Sequence, residues 1–421
     1  AGRVGCSATS TKRTHAPGGS SAGGSAGAVA IVPRQPLHGA QRAAGRAKRR
    51  DQAVHSEGRH TLAGASRCPQ KSGQPAPRSA IKTPLQPMIA TRPIAQFVVP
   101  AIGLGCMNLS HAYGPPVSSE QASRVLLAAL DAGVTLFDTA TLYGFGANET
   151  LVGQVMKPHR NQFTLASKCG MQGVDDGMGK LVRVIDSRPA TLRKTCEDSL
   201  RRLQTDVIDL YYLHRWDRQV PIEDSVGALS DLVRRGHIRS VGLSEVSAAT
   251  LRKAHATHPI AAVQTEYSLW TRNPEIAVLD ACRELGVAFV AFSPVARGFL
   301  CGKPIDVTAL DGGDIRRSMP RFAPEAHAAN SRLLPAYHAI AHELGCTPSQ
   351  LALAWLLHKM PHIIPIPGTT SVEHLTDNLG ALQVQLSAEV MAELDNLINP
   401  QTVTGERYNP QNASEVDTEN F

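Results

Sequence analysis

Four side chains that can take part in proton transfer follow three neighbouring apolar segments of this sequence. Asp138 ends the run VTLFD, and Tyr143 lies just beyond it in a glycine-rich turn. Lys168 ends the run FTLASK, and His214 ends the run VIDLYYLH. Taken singly, each has an ordinary structural explanation, as a helix or turn cap, a solvated lysine or a structural histidine. Because four unrelated caps seldom fall in this order, we interpret the four residues as one set.

The chemistry that this set favours is protonation of a carbonyl oxygen. A tyrosine has a pKa of about 10, which is too high for a good proton donor at neutral pH. A neighbouring ammonium group stabilises the phenolate and lowers that pKa, so Lys168 could tune Tyr143 while Asp138 orients Lys168. His214 could hydrogen-bond the carbonyl and fix its position. Protonation helps only if a nucleophile reaches the carbon, and hydride from a nicotinamide fits that need.

The elements that must position these residues alternate regularly from residue 101 onwards. Eight short apolar runs are separated by amphipathic segments, and several of these start with Ser, Thr, Asn or Pro and end in Gly, as helices do. Eight strand–helix units in about 300 residues predict a (β/α)8 barrel, with a doubly wound open sheet as the competing arrangement. The run SAEVMAELDNLI predicts an extra C-terminal helix. In a barrel, functional groups lie at the C-terminal ends of the strands.

Charge is spread unevenly along the chain. Residues 1–87 hold fourteen Lys or Arg and two acidic residues, a net +12, whereas the whole chain is +7. The basic pI therefore reflects this segment and does not indicate nucleic-acid binding. Its Gly, Ser, Pro and Ala runs predict a disordered extension, with two interpretations left open: a dispensable upstream sequence or an organelle transit peptide. We expect a barrel domain over residues 88–400 and a C-terminal tail over 401–421.

The remaining composition argues against several classes of site. The eight cysteines form no CxxC pair, which predicts a reducing, cytoplasmic setting and no zinc site, unless the basic extension directs the protein to an organelle. No apolar run approaches the roughly 20 residues of a membrane span. The segments GLGCMN and GFGANE lack the third glycine of the Rossmann fingerprint, and no Walker A motif occurs. A nicotinamide would therefore be held by barrel loops.

Several segments together resemble the aldo-keto reductase superfamily. The stretch VTLFDTATLYGFGANE resembles its strand-two signature, LASKCG its lysine segment and IDLYYLHRWD its histidine segment. AVQTEYSL, AFSPVARGFL and PIPGTTSVEHLTDNLGA resemble its cofactor segments. The resemblance covers roughly residues 95–400, and it is closer to the bacterial and plant branch and to potassium-channel β subunits than to aldose reductase. It implies a TIM barrel that reduces aldehydes or ketones with NADPH.

The resemblance also assigns roles to residues of this chain. It implies Asp138, Tyr143, Lys168 and His214 as the catalytic set, with Tyr143 as the general acid. The implied cofactor-binding residues are Met107, Asp138, Ser244, Gln264, Phe292, Ser293, Val295, Arg297, Leu300, Ile366, Gly368, Thr369, Thr370, Ser371, His374, Asp377 and Asn378. We further expect Tyr113, Trp216 and Trp270 to line a substrate pocket, and we expect no metal.

The sequence departs from the family pattern at two places that bear on the cofactor. Glu245 follows Ser244 where relatives usually carry Asn, and GTTSVEHLTDN lacks the Lys or Arg that often holds a 2′-phosphate. NADH is therefore a weaker alternative to NADPH. The expected partner is a small aldehyde or ketone, with no nucleic acid and no membrane. The alternative function is a cofactor-bound regulatory subunit, in the manner of channel β subunits, with little turnover.

Overall fold

The computed structural model describes residues 90–421 of the chain. The predicted disordered extension over residues 1–87 lies outside the described residues, as do residues 88 and 89. The strands in chain order are β1 (Thr91–Ile94), β2 (Phe97–Pro100), β3 (Leu104–Gly105), β4 (Leu136–Asp138), β5 (Thr164–Cys169), β6 (Met171–Asp175), β7 (Leu181–Ile185), β8 (Ile208–Leu213), β9 (Ile238–Ser244), β10 (Ile260–Glu266), β11 (Ala288–Phe292) and β12 (Ile363–Pro365).

Eight of these strands form one parallel sheet in the order β3, β4, β5, β8, β9, β10, β11, β12. The first and last strands also meet, because Gly103 N donates to Pro365 O at 3.0 Å and Gly105 pairs with Gly368 in a parallel bridge. Each barrel strand coincides with one of the eight apolar runs of the sequence. The predicted (β/α)8 architecture is therefore confirmed.

The helices lie between these strands and continue to the C-terminus. They are α1 (Ser119–Asp131), α2 (Ala147–Met156), α3 (Pro189–Leu203), α4 (Ile222–Arg234), α5 (Ala248–Thr257), α6 (Val278–Leu285), α7 (Pro324–Ser331), α8 (Leu334–Glu343), α9 (Pro348–Lys359), α10 (Val372–Gly380), α11 (Ala388–Leu397) and α12 (Pro410–Ser414). Polar caps start several of them: at α9, Thr347 and Gln350 form a capping box with Pro348 between them. Helix α11 is the expected extra helix.

The period of two along a strand explains how the fold positions functional groups. Leu136 and Ala166 belong to an apolar cluster that fills the inside of the barrel. Alternate residues of a strand face the same side, so the side chains two positions further on also face the interior. Those side chains are Asp138 and Lys168, at the C-terminal ends of β4 and β5. The alternation of side chains along β4 and β5 thus places apolar groups inside the barrel and polar groups at its mouth.

Two antiparallel hairpins accompany the barrel and have no counterpart in the sequence prediction. Strands β1 and β2 pair with each other, and Ile94 and Val99 on them are fully buried in the cluster inside the barrel. Strands β6 and β7 form a second hairpin directly after β5. This second hairpin brings Met171 and Arg183 to the mouth of the barrel.

The last residues of the chain lie against the barrel mouth. Asp417 forms a bridge with Val246, beyond the end of β9, and its amide donates to Glu245 O at 3.0 Å. The Glu419 carboxylate accepts from Ala248 N at 2.7 Å, at the start of α5. We call residues 401–421, which include α12, the C-terminal segment.

The described residues contain neither a membrane-spanning helix nor a cluster of metal-binding side chains. Within residues 90–421, no helix combines the length and the apolar character needed to span a bilayer. That same part of the chain contains no cluster of three His, Cys, Asp or Glu side chains arranged to bind a metal ion.

Candidate active site

A cavity of about 430 Å³ opens at the C-terminal ends of the barrel strands. This volume lies within the range of small-molecule sites. Residues from the strand ends, the second hairpin, the loop after β11 and the C-terminal segment line it. Its wall includes Gly105, Met107, His111, Tyr113, Asp138, Tyr143, Met171, Arg183, His214, Arg215, Ser244, Gln264, Phe292, Ser293, Val295, Arg297, Arg316, Ile366, Gly368, Tyr408, Asn412 and Glu415.

Asp138, Lys168 and Tyr143 are joined by hydrogen bonds beneath this cavity, and we call them the proton-donor network. The Lys168 side chain is fully buried and its ammonium group forms an ion pair with Asp138 Oδ1. The same ammonium donates to Thr139 O at 2.9 Å and to the Tyr143 hydroxyl oxygen at 3.1 Å. Because that oxygen accepts from Lys168, the hydroxyl proton of Tyr143 is free to be donated elsewhere.

Burial and neighbouring charges shift the pKa values of Tyr143 and Lys168 in opposite directions. Burial raises the pKa of Tyr143 above its ordinary value, although the charge of Lys168 lowers it in part. The sequence predicted that the ammonium would lower the pKa of Tyr143; in the structure it does oppose the rise, but burial outweighs it and the net shift is upward. Burial lowers the pKa of Lys168, but Asp138 and Tyr143 together raise it above its ordinary value. At neutral pH the network therefore holds a charged ammonium beside a protonated phenol.

His214 lies beside the phenol at the cavity wall. Its ring meets the Tyr143 ring edge to face, with 5.9 Å between the ring centres. Burial, and then the neighbouring Arg215 and Lys168, lower the pKa of His214 well below its ordinary value. The imidazole is therefore neutral at pH 7, and it can donate a hydrogen bond without adding a charge.

Most of the residues expected to hold a cofactor line this cavity. Gln264 donates from Nε2 to Asp138 Oδ2 at 2.8 Å, which ties it to the proton-donor network. Ser244 lies on β9, next to β10. Ten of the seventeen expected residues are in the wall: Met107, Asp138, Ser244, Gln264, Phe292, Ser293, Val295, Arg297, Ile366 and Gly368.

The other expected cofactor residues lie outside the cavity wall. Leu300 is fully buried in the main apolar core. Ser371 caps α10 by accepting from His374 N at 3.3 Å, and Asp377 accepts from Thr347 Oγ1 at 3.0 Å. Apart from Leu300, the expected cofactor residues outside the wall follow Gly368 along the chain, at the start of α10 or within it. The seven residues outside the wall are Leu300, Thr369, Thr370, Ser371, His374, Asp377 and Asn378.

The barrel and the residues at its mouth agree with a comparison with known protein families. The model of the aldo/keto reductase family matches residues 101–399. The chain belongs to this family. The match spans all eight barrel strands and ends just before the C-terminal segment.

Solved structures with the same fold include enzymes from several bacteria. A glycerol dehydrogenase from Gluconobacter oxydans is 27% identical with a TM-score of 0.67, and the match covers 76% of this chain and 98% of that one. An aldo/keto reductase from Klebsiella pneumoniae in complex with NADP and acetate is 30% identical with a TM-score of 0.54, covering 75% and 96%. A Klebsiella aldo-keto reductase in complex with NADPH is 30% identical, with a TM-score of 0.56 and coverage of 76% and 99%.

Of the three aromatic residues expected in the substrate pocket of this aldo/keto reductase, the structure places one in the wall. Tyr113 lines the cavity, with its hydroxyl 3.5 Å from Arg297 Nη1. Trp270 instead stacks on Phe299 in the core, with 4.2 Å between the ring centres. The Trp216 indole N–H donates to Val220 O at 2.6 Å, and its ring packs against the core. Neither tryptophan is among the residues that line the cavity.

A second buried charge network ties the C-terminal segment to the barrel. Glu245 has a left-handed backbone, with φ of 58°, and its carboxylate accepts from Arg407 Nη2 at 2.6 Å. Glu266 accepts from Arg407 Nε at 3.1 Å and from Arg297 Nη2 at 2.6 Å. These four residues are the anchoring network. The two guanidinium groups lower the pKa of Glu266 to about 2, although burial opposes them.

The anchoring network gives the carboxylate at position 245 a buried partner. The Glu245 carboxylate forms an ion pair with Arg407 of the C-terminal segment. No local pattern in the sequence identifies the partner of Glu245, because Glu245 and Arg407 are 162 positions apart in the chain.

Several cavity residues were not predicted from the sequence. Arg215 follows His214 directly, and that position alone indicates that it could line the cavity. Arg183, Tyr408, Asn412 and Glu415 come from the second hairpin and the C-terminal segment. Neither of these elements shows a periodic pattern that locates it against the barrel.

Proposed function

We propose that this aldo/keto reductase reduces aldehydes or ketones to alcohols with NADPH. The observation that carries the proposal is the proton-donor network: a fully buried Lys168, paired with Asp138, donates to the hydroxyl oxygen of a tyrosine that faces the cavity. Such an arrangement presents one hydroxyl proton to a ligand. The NADP and NADPH complexes of the Klebsiella structures support the choice of cofactor.

The catalytic roles follow from which hydrogen-bonding groups remain free. Tyr143 donates its proton to the carbonyl oxygen as negative charge develops there. Lys168 stabilises the phenolate that remains, and Asp138 holds Lys168 in position. The neutral His214 hydrogen-bonds the same oxygen and orients the carbonyl. When bound, a reduced nicotinamide supplies the hydride to the carbonyl carbon.

The residues present fit a nicotinamide cofactor. Ser244 and Gln264 provide a hydroxyl and an amide beside the proton-donor network, suited to a carboxamide. Phe292 provides a flat apolar surface in the same wall. Arg297, in the loop after β11, pairs with Glu266 through Nη2, and its remaining N–H groups could donate to phosphate groups. Position 245 would not contribute a carboxamide contact, because its side chain is engaged with Arg407.

We further propose that a 2′-phosphate lies at the start of α10, near Thr370, Ser371 and His374. Backbone N–H groups at a helix start attract anions, and such contacts contribute roughly 0.3–1 kcal/mol, or up to about 2 kcal/mol when partly buried. Hydroxyl hydrogen bonds from Thr370 and Ser371 to the phosphate would add to this contribution. Because neither Lys nor Arg occurs between Thr369 and Asn378, preference for NADPH over NADH should still be modest, about tenfold to a few hundredfold in kcat/KM, and should weaken with salt.

The test is steady-state oxidation of NADPH and NADH with a panel of neutral aldehydes at two salt concentrations. We expect turnover with both cofactors and a preference for NADPH that decreases in the higher salt. Equal or better use of NADH at low salt would contradict the NADPH assignment. Tight binding of NADPH without aldehyde reduction would contradict the enzymatic function and favour a cofactor-bound regulatory subunit.

A further inference from the structure

Four arginines line the cavity, and three of them are neutralised by a carboxylate. Arg183 pairs with Glu415 at 2.5 Å, Arg297 with Glu266 at 2.6 Å and Arg316 with Asp314 at 2.6 Å. The fourth, Arg215, differs from these: no carboxylate oxygen within residues 90–421 lies within 4.0 Å of its guanidinium group.

The contacts of Arg215 leave most of its hydrogen-bonding capacity free. Its Nη1 donates to His214 O at 2.6 Å and to Ser244 Oγ at 3.3 Å. The other guanidinium nitrogens have no hydrogen-bond acceptor in the described part of the chain. The side chain is half-buried and lines the cavity. A guanidinium group has five N–H donors in a fixed plane that matches two carboxylate oxygens at once.

Arg215 also lies at the reactive end of the cavity. It follows His214 in sequence, and its charge is the largest effect after burial in lowering the pKa of His214. The same charge also opposes, more weakly than Lys168 does, the rise in the pKa of Tyr143 caused by burial. An anionic group held by Arg215 would therefore lie close to a carbonyl placed between Tyr143 and His214.

We propose that Arg215 binds a carboxylate of the substrate, so that the preferred substrates are aldehydes or ketones that carry a carboxylate group. This inference rests on the proposed carbonyl reduction and names its substrate class. The guanidinium supplies paired hydrogen bonds and the missing counter-charge in one contact. A phosphate of the cofactor has the same anionic chemistry, so the experiment must distinguish the two sources.

The experiment compares aldehydes that differ only in charge. The probes are 3- and 4-carboxybenzaldehyde and the methyl ester of each, with NADPH at saturation. For the full-length wild-type enzyme we expect kcat/KM for at least one acid to exceed that of its ester by about tenfold or more, since a site built to pair a polar group discriminates against an analogue that lacks it. Equal values for acid and ester would overturn the proposal.

Two variants separate the role of Arg215 from a general effect on catalysis. In Arg215→Met the ratio of acid to ester should fall to about one, whereas Arg215→Lys, which keeps the charge but not the planar fork, should retain part of the preference. The KM for NADPH should change less than about twofold in both variants. An unchanged ratio in Arg215→Met would overturn the proposal.

The remaining outcomes assign the anion to another source or reject the underlying function. A large rise in the KM for NADPH with an unchanged acid-to-ester ratio would place a cofactor phosphate on Arg215, contrary to the proposal. If the wild type reduces neither the acids nor the esters, carbonyl reduction itself is refuted. The neutral ester thus separates the failure of the proposed function from the failure of the substrate assignment.

Discussion

The proton-donor network and the anchoring network are built from the same chemistry and have different consequences. Each pairs buried carboxylates with buried cations at the mouth of the barrel. In the proton-donor network, one hydroxyl proton remains free and faces the cavity. In the anchoring network, Arg407 has both carboxylates as partners, and its role is to hold the C-terminal segment.

The difference shows what a buried ion pair can be used for. Removing two charges from water is costly, so such pairs contribute little net stability, but losing one partner leaves an uncompensated charge. In the proton-donor network this arrangement keeps an ammonium beside a phenol. In the anchoring network it fixes the position of a segment distant in sequence. We therefore expect breaks in the first network to abolish turnover and breaks in the second mainly to reduce stability.

The largest effect should follow from removing the ammonium group. Lys168→Met should lower kcat by about 10³-fold, within the usual range for loss of acid–base assistance, because the phenolate left by Tyr143 loses its counter-charge. It should also lower the free energy of unfolding by about 3–5 kcal/mol, since Asp138 loses its partner. Steady-state kinetics and urea denaturation measure the two effects.

The double variant Asp138→Asn/Lys168→Met sharpens this test. It removes both charges, so much of the stability should return while turnover stays low. Recovery of turnover together with stability would contradict the catalytic role of Lys168.

A break in the anchoring network should affect stability more than turnover. Arg407→Met leaves the buried carboxylate of Glu245 without its cation, which should cost about 3 kcal/mol or more of unfolding free energy. Limited proteolysis should then cut within residues 401–421 more readily than in the wild type. The matched variant Glu245→Gln/Arg407→Met should recover part of the loss. Wild-type stability in the single variant would contradict the anchoring role.

A smaller effect should appear in the dependence of stability on pH. The pKa of Glu266 is lowered from an ordinary 4.5 to about 2 in the fold. A carboxylate with a lowered pKa contributes stability that is present above pH 4.5 and is lost as pH falls towards 2. The contribution is up to about 3 kcal/mol, at 1.36 kcal/mol for each pKa unit.

The comparison uses Glu266→Gln and the control Glu284→Gln. Glu284 pairs with Arg252 on the exposed surface, where such pairs contribute little. Between pH 7 and pH 3, the wild type and the control should lose more stability than Glu266→Gln. Parallel pH curves for all three proteins would contradict a lowered pKa at Glu266.

The proton-donor network and the barrel could be predicted from the sequence because both follow from local patterns. Each barrel strand is a short apolar run, and its last interior-facing residue must lie at the mouth. Asp138 and Lys168 therefore had to be neighbours once β4 and β5 were recognised as adjacent parallel strands. The chemistry of a phenol and an imidazole beside these two residues then indicated roles for Tyr143 and His214, and the family resemblance implies the same roles.

The anchoring network could not be predicted, because no local pattern encodes it. The pairing of Arg407 with Glu245 depends on where a non-periodic segment of 21 residues (401–421) folds. Trp270 shows the same limit: its place in a mouth loop suggested the cavity, but stacking on Phe299 directs it into the core. The positions of loop side chains depend on contacts between segments that are distant in sequence.

The most direct test of the account is the proton donor itself. Tyr143→Phe removes one hydroxyl and leaves the ring, so kcat/KM for a neutral aldehyde should fall by about 10²-fold or more. Binding of NADPH, measured by fluorescence titration, should stay within about twofold of wild type. The control Tyr211→Phe removes a buried hydroxyl that bonds to Ser199, outside the cavity wall, and should keep near-normal activity. Near-normal aldehyde reduction by Tyr143→Phe would contradict the account.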